Sequence, residues 1–321
     1  MEEIMNKNRK VSDFMKAYGT VLAGIIIVII FSILSFDTFF TFGNFINITR
    51  QISLLVIIAL GATLVMSVEE FDLSIGAMAS LGGVVAAKMA VSGMPILLCF
   101  AFPVIICFAI GLLNGWIVTR FRVLSFITTL AMSTVIGGFT FWFTGGATIF
   151  ENIPRSFTLV GTKSLFALPL LSIIMILLTV IFWFTMRHTS FGRKLYAIGG
   201  NEAASSVSGI KVIFHKNIAF AICASLAALT GVLMASRLGS AHPTGGDGLF
   251  LQAYAAAFIG RTVFKEGVPN IWGTFVGAAI LGVLANGLTI MQVPTFMQDL
   301  LTGCIIILAV VAQKIGYGDT K

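Results

Sequence analysis

Long apolar stretches, each ended by a few charged residues, follow one another along nearly the whole chain. Only 10% of the 321 residues are charged and 58% are hydrophobic, whereas a soluble domain carries about 25% charged residues. So few charges cannot cover the surface of a water-soluble globule of this size. The composition therefore excludes a cytosolic enzyme, a nucleic-acid binder and a disordered chain, and it indicates a membrane protein.

The apolar stretches predict membrane-spanning helices, each of which needs about 20 mostly apolar residues. Ten spans can be read, of which the third and the eighth are short. They lie at residues 17–36, 51–68, 73–87, 94–118, 124–144, 164–186, 217–236, 248–260, 270–290 and 295–313. Ten spans leave no room for a second folded domain, so we expect one all-α helix bundle over residues 1–321. The first span is too long for the apolar core of a signal peptide, and we expect it to be retained.

The distribution of positive charge predicts the orientation in the membrane. With the N-terminus in the cytoplasm, 15 of the 20 Lys and Arg residues fall at cytoplasmic ends of the spans. The other five are assigned to the outside and are Arg50, Lys88, Arg155, Lys163 and Arg237. Because cytoplasmic loops carry an excess of Lys and Arg, we predict ten spans with both termini in the cytoplasm. The same rule accounts for the net charge of +7 without a nucleic-acid partner.

Small residues spaced four apart predict helices that pack closely against one another. Three such pairs stand inside predicted spans: Gly111 with Gly115, Gly273 with Gly277, and Gly76 with Ser80. In lipid, faces of this kind let two helix backbones approach each other. The pairs indicate a multi-helix bundle and say nothing more specific.

Signatures of catalysis and nucleotide binding are absent from the sequence. It contains no phosphate-binding P-loop, no HExxH zinc motif and no GxSxG nucleophile motif. The cysteines, Cys99, Cys107, Cys223 and Cys304, lie in apolar runs without paired spacing, so we expect buried, unreactive thiols. We therefore expect no catalytic residue, no metal site and no cofactor bound by this chain.

A few polar residues stand out against the apolar background. Three carboxylates within residues 69–72 (EEFD) are too costly for the bilayer centre, so we expect them at the cytoplasmic surface or in a wet cavity. Asp72 or Ser74 either caps the next helix or faces the pathway or an interface. Asn114 and Asn286 are isolated amides inside spans, where they either bond neighbouring helices or line a polar pathway.

The largest predicted cytoplasmic loop, residues 187–216, contains a candidate docking helix. Gly199 and Gly200 are expected to break the chain, after which Asn201 can cap a short helix. Glu202 would place its negative charge in the first turn of that helix, where the helix dipole favours it. We predict a helix from Glu202 that ends near Gly209. It is either a docking surface for a cytoplasmic partner or a membrane-surface helix held by anionic lipid.

Three motifs in order then resemble those of a known family, the permease subunits of ribose-type monosaccharide ABC importers. They are residues 72–76 (DLSIG), residues 195–204 (LYAIGGNEAA) followed by 208–210 (SGI), and residues 237–246 (RLGSAHPTGG). The likeness runs over roughly residues 20–313 and includes residues 286–288 (NGL). Two segments depart from the pattern. Residues 260–267 (GRTVFKEG) stand where the family has a Gly-rich segment, and Glu69 and Glu70 are more charged than their counterparts.

The resemblance implies a multi-pass permease of the cell (inner) membrane that carries a monosaccharide or similar small polyol and catalyses nothing. It implies as partners a cytoplasmic ABC ATPase that uses ATP, an extracytoplasmic sugar-binding protein, and a second permease copy or paralogue, all in or at the lipid membrane. Coupling to the ATPase would involve Gly200, Asn201, Glu202, Ala203, Ala204, Val207 and Gly209. The pathway or an interface would involve Asp72, Ser74, Asn114 and Asn286.

Other classes of protein stay open at this point. One is a self-contained secondary transporter or channel, which the absence of a carboxylate relay across the spans disfavours. Another is an ABC permease for nucleosides or branched-chain amino acids. A membrane-embedded enzyme is disfavoured because no constellation of His, Cys and Ser lies in the spans.

Overall fold

Helices make up nearly all of the architecture in the computed structural model, which describes residues 21–165, 168–263, 267–298, 300–305 and 307. In the first half of the chain they are α1 (Val21–Leu34), α2 (Phe36–Phe39), α3 (Phe42–Met66), α4 (Ile75–Val91), α5 (Ile96–Phe121), α6 (Ser125–Thr144) and α7 (Arg155–Thr162). In the second half they are α8 (Leu170–His188), α9 (Ser190–Gly200), α10 (Glu202–Val207), α11 (Val212–Leu238), α12 (Leu249–Arg261) and α13 (Ile271–Ile290). Residues 295–298 and 300–305 are also helical.

One small antiparallel hairpin interrupts the helices between α7 and α8. Its strands are β1 (Ser164–Leu165) and β2 (Leu168–Pro169), with Ser164 opposite Pro169. The sixth span was predicted to begin at residue 164, and that boundary is wrong because the hairpin occupies its first residues. Pro169 lacks a backbone donor and fits the position just before the first turn of α8.

Six of the described helices are long and apolar enough to cross a membrane, namely α3, α5, α6, α8, α11 and α13. The apolar helices α1 and α4 are shorter, and α12 has 13 residues. A helix lies on each of the ten predicted spans, although residues 17–20 and 308–313 lie outside the described residues. The polytopic helical class is confirmed, while ten crossings and two cytoplasmic termini stay predictions.

Helices α3 and α11 form the centre of the bundle. In their most apolar segments, 78% of α3 and 72% of α11 are buried, against 22% for α5 and 17% for α6. The outer helices leave large apolar side chains exposed, such as Leu97 at 79% and Trp142 at 76%. Such surfaces suit a protein whose surrounding solvent is lipid.

Close backbone contacts hold α11 against its neighbours, which confirms the predicted packing by small residues. A Cβ added to Gly111 of α5 would lie 2.6 Å from the carbonyl oxygen of Phe220. Gly231 of α11 likewise leaves no room for a Cβ beside the carbonyl of Ala79 in α4. The other predicted small residues also face backbone atoms of another segment: Gly115 faces Asn217, Gly273 faces Gly260, Gly277 faces Ala256 and Gly76 faces Gly246.

Among the described residues, charged side chains make contacts at two ends of the bundle, here named the α7 end and the α10 end. At the α7 end, Nη2 of Arg50 donates to the carbonyl of Thr162 at 3.0 Å, and Gly161 packs on the backbone of Arg237. At the α10 end, Glu70 and Glu202 contact Lys216. Arg50 and Arg237, both of which were assigned to the outside, thus lie at the same end of the bundle. Which end faces the cytoplasm stays the prediction made from the charges.

The four cysteines differ in exposure. Cys99, Cys107 and Cys223 are buried, as expected, and Cys304 is exposed, so the prediction of a buried thiol is wrong there. Cys304 lies one turn from Ile307, which is 64% exposed.

Candidate functional site

The predicted docking helix is present as α10, Glu202–Val207. Asn201 Oδ1 accepts a hydrogen bond from the backbone N–H of Ala204 at 2.8 Å, which confirms the predicted cap. Gly209 has a φ of +82° just after the helix, a conformation that glycine adopts without steric cost. Ala203 and Ala204 are exposed, and Val207 is 91% exposed. A short helix with an unpaired apolar residue therefore projects from the bundle.

The segment before α10 is a helix and not the chain break predicted at Gly199 and Gly200. These glycines are the last two residues of α9. Gly199 packs on the carbonyl of Ser67 so closely that a Cβ would not fit. From the same helix, the hydroxyl of Tyr196 donates a hydrogen bond to the carbonyl of Pro269 at 2.8 Å. Gly199 thus allows α9 to dock on the end of α3, and α9 anchors α10 to the bundle.

Next to α10 lies the connection between α3 and α4, here named the α3–α4 loop and comprising residues 69–74. Helix α3 ends in a Schellman motif, in which the N–H of Glu70 bonds the carbonyl of Val65 at 3.2 Å and the N–H of Glu69 bonds that of Met66 at 3.1 Å. Glu69 takes a φ of +56°, which glycine more often occupies. The sharp turn places both carboxylates at the α10 end.

Lys216 of α11 joins the α3–α4 loop to α10. Its Nζ lies 2.7 Å from Oε1 of Glu70 and 2.7 Å from Oε2 of Glu202. The Lys216 side chain is only 8% exposed, while Glu70 is 16% and Glu202 is 58% exposed. A buried ammonium is costly unless it is paired. Here two carboxylates from two different segments pair with it.

Side chains bond each backbone N–H of residues 71–74, although the loop has no regular structure. Three of these side chains come from other helices, so α6 and α12 are both attached to the loop. The N–H of Phe71 donates to Ser125 Oγ at 3.2 Å, that of Asp72 to the Tyr254 hydroxyl at 2.6 Å, that of Leu73 to Thr129 Oγ1 at 2.9 Å, and that of Ser74 to Asp72 Oδ1 at 2.9 Å.

Asp72 is fully buried, which corrects the expectation that all three carboxylates lie at a surface or in a wet cavity. The loop is covered by α5, α6 and α12, and Asp72 points inward. Its Oδ1 accepts from the N–H and the hydroxyl of Ser74, which is the local cap considered from the sequence. Burial raises the pKa of Asp72 from 3.8 to about 6, with the bonds from Ser74 opposing the rise.

Asn114 of α5 completes this buried cluster. Its Nδ2 donates to Ser74 Oγ at 3.1 Å. Two acceptor atoms in the cluster, Asp72 Oδ2 and Asn114 Oδ1, have no partner among the described residues. Buried acceptors without a hydrogen-bond partner lower the free energy of unfolding, so these two atoms make the cluster less stable than a fully bonded one.

Asn286 lies elsewhere, near the α7 end. Its Nδ2 donates to Oδ1 of Asn44 at 3.0 Å, in the first turn of α3, and Asn44 in turn bonds the carbonyl of Phe39 at 2.9 Å. The structure therefore brings together Asp72, Ser74 and Asn114, which the sequence analysis singled out, and separates Asn286 from them.

Two cavities flank α9 and α10. One has a volume of about 970 Å³, and its lining includes Trp183, Arg193, Tyr196, Gly200 and Trp272. The other has a volume of about 950 Å³, and its lining includes Glu70, Arg122, Glu202, Ala203 and Lys216. A partner that covers α10 would also meet these two recesses.

The sequence analysis missed Lys216 and Tyr254 as site residues. Lys216 was counted as one of several loop charges, and Tyr254 stood inside an apolar span. It also missed Ser125 and Thr129, although a signal was present for this pair. Residues four apart lie on one face of a helix, so these hydroxyls could have been read as one polar face of α6.

These features define a polytopic helical membrane protein, a bundle of apolar helices that presents a capped, exposed helix at one end. The chain belongs to the family described as branched-chain amino acid transport system / permease component, which matches residues 44–310. That family supplies the permease components of ABC transporters, in which a separate subunit hydrolyses ATP.

Individual relatives align over nearly the whole chain. The ribose import permease protein RbsC of Haemophilus influenzae is 35% identical over 98% of this chain and 97% of its own. RbsC of Escherichia coli K12 is 37% identical over 92% of both chains. The D-allose transport system permease protein AlsC of E. coli K12 is 34% identical over 94% of this chain and 93% of its own. These matches confirm the resemblance drawn from the motifs. No solved structure matches the chain.

Proposed function

We propose that this chain is the membrane-spanning permease subunit of an ATP-driven ABC importer for a monosaccharide or similar small polyol. The observation that carries the proposal is the end-to-end similarity to permeases named for ribose and allose, at 34–37% identity over more than nine-tenths of this chain. That similarity favours a sugar over a branched-chain amino acid or a nucleoside, the two alternatives within the ABC class.

The ATPase would act on the chain through α10. Helices that dock in a groove rely on small residues for close approach and on apolar anchors. Ala203 and Ala204 supply the small surface and Val207 supplies the anchor, all exposed on a helix that Asn201 and Gly209 delimit. ATP hydrolysis belongs to the partner because this sequence has no P-loop.

The remaining partners follow from the family. An extracytoplasmic sugar-binding protein would deliver the solute, and a second permease copy or a paralogue would complete the pathway. The spans offer few charged groups, so a neutral sugar would pass without being trapped. Selection among sugars would then rest with the binding protein.

Uptake by reconstituted vesicles tests the proposal. The chain would be reconstituted with its ATPase and its binding protein, and accumulation of radiolabelled ribose, allose, leucine and a nucleoside would be compared. We expect ATP-dependent uptake of one or more sugars and none of leucine or the nucleoside. Vesicles without this chain serve as the control. Uptake of leucine or the nucleoside with no sugar uptake would contradict the proposal.

A further inference from the structure

We propose that Lys216 is a positioning residue that transmits movement of α10 to the α3–α4 loop, and through that loop to α6 and α12. The inference rests on the proposed function, since it concerns how docking of an ATPase at α10 reaches the helices of the pathway. It adds to that function a specific path of contacts within the chain.

The first step is the link between Lys216 and its two carboxylates. Both distances are 2.7 Å, so the ammonium contacts α10 and the loop at the same time. Glu202 is attached to an exposed helix, while Glu70 and Lys216 are largely buried. Loss of the Glu202 contact would leave the largely buried ammonium with Glu70 as its one carboxylate partner among the described residues, and a buried ammonium is costly unless it is well paired. A shift of α10 would therefore carry the loop along.

The second step is the attachment of the loop to the rest of the bundle. Ser125 and Thr129 hold it to α6, and Tyr254 holds it to α12 by accepting from Asp72 N–H. Each of these bonds involves the loop backbone, so displacement of the loop acts on both helices directly. The Tyr254 hydroxyl also donates to the carbonyl of Asp72 at 3.3 Å, so two hydrogen bonds join Tyr254 to the backbone of Asp72.

The same loop carries a second and weaker link. Glu69 lies 3.8 Å from Arg261 at the end of α12, and the Glu69 side chain is 62% exposed. An exposed pair at this distance contributes little. That pair joins the loop to α12, whereas Lys216 is the residue whose ion pairs join the loop to α10 in the described part of the chain.

Four variants test the proposal in vesicles that contain the ATPase and the binding protein. The quantity measured is sugar taken up per ATP hydrolysed, together with co-purification of the ATPase. We expect Lys216→Met to lower this ratio about tenfold, which corresponds to the loss of a charge-assisted hydrogen bond, while ATP hydrolysis continues. Lys216→Arg keeps the charge and both donors, so we expect it to restore the ratio to within about twofold of wild type.

The other two of the four variants separate a positioning role of Lys216 from an effect on folding stability. The double variant Lys216→Met with Glu70→Gln leaves no unpaired charge in the buried part of the link, so it should not suffer the loss of stability that an unpaired Glu70 causes. We nevertheless expect its ratio of sugar taken up to ATP hydrolysed to stay as low as that of Lys216→Met. Glu202→Gln changes only the exposed end and should fold normally while lowering the ratio about threefold, a smaller effect than loss of the ammonium.

The outcomes decide the matter in every case. A wild-type ratio in the double variant, or in Glu202→Gln if the double variant does not assemble, would overturn the role of Lys216. Absence of ATP-dependent uptake by the wild-type vesicles would instead refute the proposed function. The two failures are therefore distinguishable.

Discussion

Oε1 of Glu69, at the end of α3, lies 3.8 Å from Nη2 of Arg261, in the last turn of α12. The same guanidinium donates through Nε and Nη2 to the carbonyl of Gly267, at 3.0 and 2.7 Å. Glu69 and Arg261 stand in the two segments where the chain departs from the ribose-type pattern. The two departures from the pattern therefore meet at the α10 end through this pair. A partner that docks at this end would meet both changes together.

Adding bulk to α10 tests whether it contacts the ATPase. We expect Ala204→Trp to prevent close approach of a docking groove and to abolish sugar uptake, while the chain still inserts. The measurements are uptake and co-purification of the ATPase. Ser164→Trp, an exposed position at the α7 end, is the matched control and should keep the ATPase bound. Wild-type uptake and partner binding by Ala204→Trp would show that α10 is not the coupling element.

Removing the charge of Asp72 tests the buried cluster. Because the pKa of Asp72 is about 6 in the folded chain and 3.8 as a free group, ionised Asp72 lowers stability above pH 6. By linkage the cost is about 3 kcal/mol at pH 7, and it disappears as the pH falls from about 6 to about 4. We expect Asp72→Asn to unfold at a higher temperature than wild type at pH 7, and the difference to shrink toward pH 5.

The control for this prediction is Asp37→Asn, which changes an exposed carboxyl in α2. It should unfold at the same temperature as wild type at pH 7, because its carboxyl is not part of the buried cluster. A difference between Asp72→Asn and wild type that stays constant, or grows as the pH falls, would show that Asp72 is not a destabilised carboxylate.

The contact between α4 and α11 can be tested with one methyl group. Gly231→Ala would force a Cβ against the Ala79 carbonyl, and overpacking of this kind costs about 1–3 kcal/mol. Gly137→Ala in α6 meets no atom within 4 Å and should be neutral or slightly stabilising, since alanine favours helices. Thermal unfolding in detergent measures both. Equal stability of the two variants would argue against the close α4–α11 packing.

The predicted orientation can be tested by chemical labelling. The charge distribution places Lys163 outside and Lys194 in the cytoplasm. In a cysteine-free background, single cysteines at these two positions should react with a membrane-impermeant reagent from opposite sides of the membrane. Labelling of both positions from the same side would refute the ten-span orientation.

Local signals in the sequence predicted some elements well. The start of helix α10 at Glu202 and its end just before Gly209 were predicted because their determinants are adjacent in sequence: the Asn201 cap at one end and the Gly209 turn at the other. The small-residue faces were predicted for the same reason, since residues four apart share a helix face. The sugar-permease class came from ordered motifs, and the similarity to RbsC proteins confirms it.

The α3–α4 loop could not be predicted in the same way. Its partners Ser125, Lys216 and Tyr254 are distant in sequence and become neighbours only when α6, α11 and α12 pack. Nothing local distinguished Lys216 from other loop charges or revealed that Asp72 would be fully buried. The start of α8 was misplaced because residues 164–165 and 168–169 continue the apolar stretch in sequence yet pair as two short strands.

Whether sugar uptake depends on ATP hydrolysis by the partner distinguishes an ABC permease from a secondary transporter. Vesicles would contain this chain, the binding protein, and either the active ATPase or a variant that binds but does not hydrolyse ATP. We expect sugar to accumulate with the active ATPase and not with the inactive one, whatever ion gradient is imposed. Accumulation driven by an ion gradient in vesicles that hold this chain alone would contradict the account and identify a secondary transporter.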